Sequence, residues 1–298
     1  MASNRLEFLG PTPRWCLGCG YFGCFKALTS VIANSGVPRE KFVVVSGIGC
    51  SARLPYYTKM FGFHTLHGRA APVAQGIKQV RPDLCVWMVT GDGDCLSIGT
   101  NHIVHLLRRN PEIKVMLLNN QVYGLTKGQA SPTSPKGQVA KMSPRGTVDS
   151  PINPVRLALA SGATFVARAH DNDGPYLEEI LTAAQNHKGT AFVEVLTNCV
   201  SFNDGAINSL TERALQAETN LKLRRGQKML FGAEGKRGMA LVNGALVEVD
   251  GADPAVAAHD PSHPAMGQLL AAVEFSQRPY PFGIFADYTP TTNSGEIL

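Results

Sequence analysis

Asp92 and Asn120 are the two residues whose types and spacing point most directly to chemistry. Asp92 lies in Val89-Thr-Gly-Asp-Gly-Asp94 at an expected strand end, and Asn120 follows 28 positions later at the end of the next expected strand. In an open parallel sheet, ligands bind outside the carboxyl ends of the strands, so both turns would face one crevice. A carboxylate and an amide oxygen there suit a hard cation such as Mg²⁺, which also takes oxygens from a bound phosphate. Gly91 and Gly93 let the backbone approach that phosphate closely, and the amides opening the next helix would face it. A bare Gly-Asp-Gly is often only an Asx turn; the downstream Asn-Gln-Val-Tyr-Gly makes the pattern specific.

Sulfur forms the second group. Cys16-Leu-Gly-Cys19 alone could hold zinc, hold part of an iron-sulfur cluster or be redox-active. Cys50 stands at a strand end and Cys199 just after another strand, so both could reach the same edge of the sheet, and four thiolates would then converge as a cubane requires. Cys24, Cys85 and Cys95 sit in apolar or helical segments and read as core thiols. Two glycine patterns do not read as nicotinamide sites. Gly18-Cys-Gly-Tyr-Phe-Gly23 lacks a preceding strand, and Gly47-Ile-Gly-Cys-Ser-Ala52 runs into Pro55 with no acid before Asp83.

The elements that must position these groups alternate. Helical spacing of Phe22, Phe25, Leu28 and Ile32 predicts a helix over 20–35, and Lys41 to Ser46 reads as a buried strand. A helix over 69–80, with Pro72 in its first turn, precedes a strand over 84–89. A helix over 96–107 and a strand over 113–118 follow. Beyond come a helix opened by Asn153-Pro154, a strand over 164–167, a helix over 175–186 and a strand over 191–196. The fold class is therefore α/β, a mostly parallel sheet with helices on both faces. Residues 128–151, rich in Pro, Gly and Ser and carrying Lys136, Lys141 and Arg145, break the rhythm as a lid or connector. After residue 205 the pattern shifts to a charged helix over 210–225, a possible hairpin at 242–247 and a Pro-rich end. This divides the chain into a domain over 1–205 and a C-terminal extension over 206–298 packed on a partner.

Composition excludes several classes. Of 298 residues 44% are hydrophobic and 17% charged, so a large core is available and disorder is excluded for most of the chain. The 30 glycines and 19 prolines are too many for a helical bundle. A net charge of +5 is too small to indicate nucleic acid, and no apolar run reaches membrane-spanning length. Met1 to Pro13 lacks the apolar core of a signal peptide, and seven cysteines cannot pair completely, so a reducing cytoplasmic setting is expected.

With the Gly-Asp-Gly and Asn120 in place, the chain resembles the thiamine diphosphate enzymes. The cysteines narrow the likeness. Thr12-Pro-Arg-Trp-Cys-Leu-Gly-Cys-Gly20, Gly47-Ile-Gly-Cys-Ser-Ala-Arg53, His67-Gly-Arg-Ala70, Gly91-Asp-Gly-Asp94, Asn119-Asn-Gln-Val-Tyr-Gly-Leu-Thr-Lys-Gly-Gln129 and Cys199-Val-Ser-Phe-Asn203 together resemble the β subunit of a two-subunit 2-oxoacid:ferredoxin oxidoreductase. The resemblance covers about residues 11–204. It implies Mg²⁺ on Asp92, Asn120 and the Val122 carbonyl, and diphosphate against Gly91, Asp92, Gly93 and Asp94. It also implies cofactor contacts from Ile48, Gly49, Cys50, Ser51, His67, Gly68, Gly124 and Leu125. His67 alone could equally be a cap or core histidine. One 4Fe-4S cluster would be held by Cys16, Cys19, Cys50 and Cys199. Leu125 and Lys127 are the implied catalytic contacts to the thiazolium side or the substrate carboxylate, with Lys127 equally readable as a solvated charge.

The implied reaction is reversible, CoA-dependent oxidative decarboxylation of 2-oxoglutarate to succinyl-CoA with electrons passing to ferredoxin. Pyruvate or a broad 2-oxoacid range is the alternative. An α subunit carrying the pyrimidine-binding domain would supply the activating glutamate in an αβ or (αβ)2 assembly. Two rival classes stay open: an electron-transfer subunit, needing only the cysteines, and a redox-inert thiamine decarboxylase, needing only the metal motif.

Overall fold

The computed structural model describes residues 4–140 and 142–288; Lys141, the first three residues and the end of the Pro-rich segment lie outside the described residues. The first half contains α1 (Tyr21–Asn34), β1 (Phe42–Ser46), β2 (Phe61–His64), α2 (Ala70–Val80), β3 (Cys85–Gly91), α3 (Asp92–Leu96), α4 (Thr100–Arg109) and β4 (Ile113–Asn119). Then follow α5 (Pro154–Ala160), β5 (Phe165–His170), α6 (Gly174–Asn186), β6 (Ala191–Leu196), α7 (Asn208–Thr211), α8 (Arg213–Thr219) and β7 (Asn220–Leu223). The remainder holds β8 (Leu230–Phe231), β9 (Arg237–Val242), β10 (Ala245–Asp250), α9 (Pro264–Ala271) and β11 (Tyr280–Asp287).

Eight strands form one sheet in the order β2-β1-β3-β4-β6-β5-β11-β7. Every pairing is parallel except β11 with β5. Strands covered on both faces must be apolar throughout, and β4 and β6 are buried along their whole length. Alternate residues feed two cores. Val44, Trp87, Val89 and Leu118 face α1 and α6, whereas Val45, Met88, Leu117 and Phe192 face α2, α4, α5 and α9.

The chain leaves β1 towards β2 on one side and leaves neighbouring β3 towards β4 on the other. Adjacent strands whose connections part in this way open a crevice between their carboxyl ends. The turns after Ser46 and after Gly91 are therefore held apart by topology at the place where a ligand fits.

Several expectations need correction. The helix expected over 96–107 is broken at Ser97, whose φ −101° and ψ −108° are not helical. The helix over 210–225 is replaced by α7, α8 and then β7, because Leu221 and Leu223 bury against the sheet more effectively than on a short charged helix. Strand β2 and the 3-10 turn Ser51–Tyr57 before it were not foreseen; β2 is a four-residue, exposed edge strand with little apolar signal. The segment expected to be an extension contributes β7 and β11 to the main sheet, so the sheet crosses the boundary at 205. The hairpin stands as read, with Asn243 and Gly244 both at positive φ in the turn between β9 and β10.

Arg168 and Glu194 lie side by side on β5 and β6, almost fully buried, with Nε 2.7 Å from Oε2. The guanidinium also lies 4.5 Å from the Tyr280 ring centroid. Arg168→Met should therefore cost about 3–5 kcal/mol, since it strands a buried carboxylate. Urea denaturation checks this, and the double change Arg168→Met/Glu194→Leu should recover most of the loss.

Candidate functional site

The crevice is a cavity of about 520 Å³, lined by residues of the β1 turn (Ile48, Gly49, Cys50, Ser51), the β3 turn (Gly91 to Asp94) and the segment after β4. Its size is that of a cofactor or small-ligand pocket. His67, Asn120, Val122, Gly124 and Leu125 also line it, as do Tyr21, Tyr123, Thr126 and Gln129, whereas Lys127 is exposed outside it. Gly68 is buried behind His67. At Gly93 a Cβ would come 2.2 Å from the Tyr123 ring, whose hydroxyl donates to the Gly93 carbonyl at 3.0 Å. Only glycine lets the two turns close in this way. The helix starting here, α3, spans five residues, so close backbone approach rather than a long helix dipole is what the turn offers.

Asp92 is buried, and its Oδ2 accepts hydrogen bonds from Ser131 Oγ at 2.5 Å and Thr133 Oγ1 at 2.8 Å. Desolvation pushes its carboxyl up to about 6 despite those donors, the imbalance that a divalent cation would offset. The Asn120 side chain is oriented from both ends. Its Nδ2 donates to Tyr21 Oη at 3.0 Å, and its Oδ1 accepts from Val122 N at 3.2 Å. Oxygen donors on a buried carboxylate, an amide and a neighbouring carbonyl fit Mg²⁺.

Asp94 has a different task from Asp92. Its Oδ1 accepts from Ile48 N and Gly68 N and faces His67 Nδ1 at 2.8 Å, while its Oδ2 accepts from Thr90 Oγ1. It ties the β1 turn, the His67 turn and the β3 turn together. A Cβ on Gly47 would meet Asp94 Oδ2 at 1.8 Å, which explains the glycine there. His67 is anchored by this contact and lines the cavity, so it is neither a core nor a capping residue.

The sulfurs gather on the next side of the same cavity. A Cβ on Gly124 would lie 3.7 Å from Cys50 Sγ, 3.7 Å from Cys199 Sγ and 3.9 Å from Asn120 Nδ2. Burial pushes the Cys19 thiol up to about 12, and Cys199, Cys16 and Cys50 each add to the rise, which places the other three sulfurs close to Cys19. The Cys16–Cys19 turn closes through Cys19 N to Cys16 O, with Gly18 at φ +82°. Trp15 Nε1 holds the Cys50 carbonyl at 2.7 Å, and Ser201 Oγ donates to Cys16 Sγ. Among the described residues no three His, Cys, Asp or Glu side chains close on a single ion. A cubane instead spreads its thiolates over separate iron corners, and Cys50 and Cys199 beside Gly124, with Cys16 and Cys19 in the neighbouring turn, fit that demand. Cys24 and Cys95 are buried core thiols, and Cys85 bonds Gln185.

Sequence reasoning missed Tyr21, which is buried, accepts from Asn120 Nδ2, and lies close enough to Asp92, Cys50, Cys19 and Cys199 for burial and those charges to push its hydroxyl up. It also missed Ser131, Thr133 and Ser134. The one available signal was the density of hydroxyls in Ser131-Pro-Thr-Ser134, within a loop read as a gate.

Residues 47–195 match the family model of the thiamine pyrophosphate enzyme C-terminal TPP binding domain. The chain is 49% identical over 223 residues to the 2-oxoglutarate oxidoreductase subunit KorB of Mycobacterium tuberculosis, covering 75% of this chain and 60% of that one. It is 49% identical over 204 residues to the β subunit of 2-oxoacid:ferredoxin oxidoreductase 1 of Aeropyrum pernix, covering 68% and 63%. The matched part thus spans less than two thirds of these relatives' length. A solved 2-oxoglutarate:ferredoxin oxidoreductase from Magnetococcus marinus, bound to 2-oxoglutarate, coenzyme A and succinyl-CoA, superposes with a TM-score of 0.79 at 31% identity, covering 98% of this chain and 87% of that one. By sequence and by fold alike, this chain belongs to the β-subunit family of the 2-oxoacid:ferredoxin oxidoreductases.

Proposed function

We propose that this chain is the β subunit of a cytoplasmic enzyme that oxidatively decarboxylates 2-oxoglutarate with CoA and reduces ferredoxin. One observation carries the reading: Gly124 stands against both Asn120 of the oxygen-donor site and the Cys50 and Cys199 sulfurs, so the two sites share a wall. An electron-transfer subunit would not need the oxygen donors, and a redox-inert decarboxylase would not need the sulfurs.

When bound, thiamine diphosphate supplies the nucleophile and the electron sink for 2-oxoacid decarboxylation, and a cubane accepts the electrons singly. The chain's own residues bind and orient. Asp92, Asn120 and the Val122 carbonyl would hold Mg²⁺; Gly91 and Gly93 would admit the diphosphate; Cys16, Cys19, Cys50 and Cys199 would hold the cluster. Leu125 lines the mouth of the cavity and would exclude water from the reacting end. Exposed Lys127 would reach a substrate carboxylate once a partner covers the site. Exposed apolar side chains on the β2 edge strand and the adjoining turns, Tyr56, Phe61, Phe63, Leu66 and Ile98, support an α subunit seated along that edge. The substrate itself is inferred from the relatives' names and from the neighbour's bound 2-oxoglutarate.

Iron, thiamine and ferredoxin-coupled turnover across several 2-oxoacids, measured on the complex co-purified with its partner chain, test the reading. Both cofactors with fastest turnover on 2-oxoglutarate are expected. Thiamine without iron would favour the decarboxylase, and iron without thiamine the carrier.

A further inference from the structure

The loop between Gly128 and Ser150 was expected to be a gate or a disordered connector. It enters the molecule instead. Ser131, Thr133 and Ser134 are buried, although they lie in irregular backbone rich in proline and glycine. Ser134 Oγ accepts from Ser131 N at 2.9 Å and donates to the Gln121 carbonyl at 2.7 Å, which presses the loop onto the turn after β4. Ser131 and Thr133 hydroxyls converge on one carboxylate oxygen, Asp92 Oδ2.

Thr133 Oγ1 has a single proton and two acceptors at 2.8 Å, Asp92 Oδ2 and Asn119 Oδ1. Asn119 Oδ1 already accepts from Gln121 N at 3.1 Å, and Asn119 Nδ2 is held by Glu194 Oε1 at 2.8 Å, with Arg168 on the other carboxylate oxygen. An ionised Asp92 therefore takes the Thr133 proton, because a charged acceptor bonds more strongly than an amide already served. The Thr133 hydroxyl then ties the loop to Asp92, while Asn119 Oδ1 stays held by Gln121 N.

We propose that Ser131 and Thr133 are positioning residues that fix the rotation of the Asp92 carboxylate, and that the 128–150 loop is a strap whose seating is coupled to occupation of the cation site. The inference rests on the cation-site reading given above and deepens it. Coupling is reciprocal: whatever factor the seated strap adds to cofactor affinity, the cofactor adds to strap seating. The distal part of the strap bears exposed Lys136 and Arg145, which report on that seating.

The test uses the complex purified with its partner chain, stripped of divalent cation and thiamine diphosphate. Binding of thiamine diphosphate at fixed Mg²⁺ is measured by titration calorimetry. Thr133→Val and Ser131→Ala should each weaken it about 10- to 100-fold, the usual cost of losing a group that orients a metal ligand. Thr133→Ser, which restores the hydroxyl, should bind close to wild type. In the unmodified complex, tryptic cleavage at Lys136 and Arg145, read by mass spectrometry, should slow when Mg²⁺ and thiamine diphosphate are added together. Thr133→Val should lose that protection. Wild-type affinity in Thr133→Val, failure of Thr133→Ser to restore binding, or cleavage indifferent to the cofactor in the unmodified complex would each overturn the strap while leaving the cation site intact. An unmodified complex that binds no thiamine diphosphate would overturn the cation site itself, and the strap with it.

Discussion

Asp92→Ala is expected to abolish retention of thiamine diphosphate while leaving the absorption and electron paramagnetic resonance of the iron-sulfur cluster unchanged. The carboxylate is buried and lines the cavity, so a cation there would be paired with it out of water. Removing one partner of a buried charge pair costs about 3–5 kcal/mol. That corresponds to roughly two to three and a half orders of magnitude in affinity. The protein itself should not lose stability without its cofactor. A desolvated carboxylate is a cost to the fold, and the two hydroxyls it releases lie within 3.2 Å of each other and can pair. Thiamine assay of the desalted complex, with a thermal melt of the cofactor-stripped form, checks both halves. Retained thiamine would remove Asp92 from the metal site.

Cys50→Ser should have the opposite pattern: loss of the cluster signals and of ferredoxin reduction, with thiamine diphosphate still bound. Cys50 sits in the turn after β1, its carbonyl pinned by Trp15 and its sulfur beside Gly124 and Cys199. A serine oxygen is a poor replacement for a thiolate on iron, and three remaining sulfurs leave one corner of a cubane open. Turnover with ferredoxin should fall to background. Cys24→Ser is the matched control. Its thiol is buried on the inner face of α1, where burial keeps it protonated, and it should leave iron content unchanged. Thiamine lost together with iron in Cys50→Ser would mean that the shared wall at Gly124 carries both sites as one unit. Iron retained at the wild-type level would exclude Cys50 from the cluster.

Much of this arrangement is legible locally. The 3.6-residue spacing in α1 and the β-branched run of β1 announce themselves because each element must bury one stripe or both faces. Gly-Asp-Gly-Asp at the end of β3 and Asn120 after β4 are readable because a strand end, a glycine turn and an oxygen donor are all encoded within a few residues. The single helix expected over 96–107 failed for a non-local reason: Gly99 lies against Gly68, whose Cα would be 3.1 Å from a Cβ there, and the packing of that turn interrupts the helix. Strand β11 was lost in a Pro-rich tail because its partner, β5, is more than a hundred residues away.

By itself, then, the amino-acid order determined the alternating architecture, the donor types and the turns that carry them, since these depend on neighbours within a helical turn or a strand. Tertiary structure alone decided that Asp94 is a tie between three turns while Asp92 lines the cavity, that Tyr21 orients Asn120, and that Ser131 and Thr133 reach Asp92. These relations join segments 26 to 99 residues apart, and only the order of strands in the sheet brings such segments to one crevice.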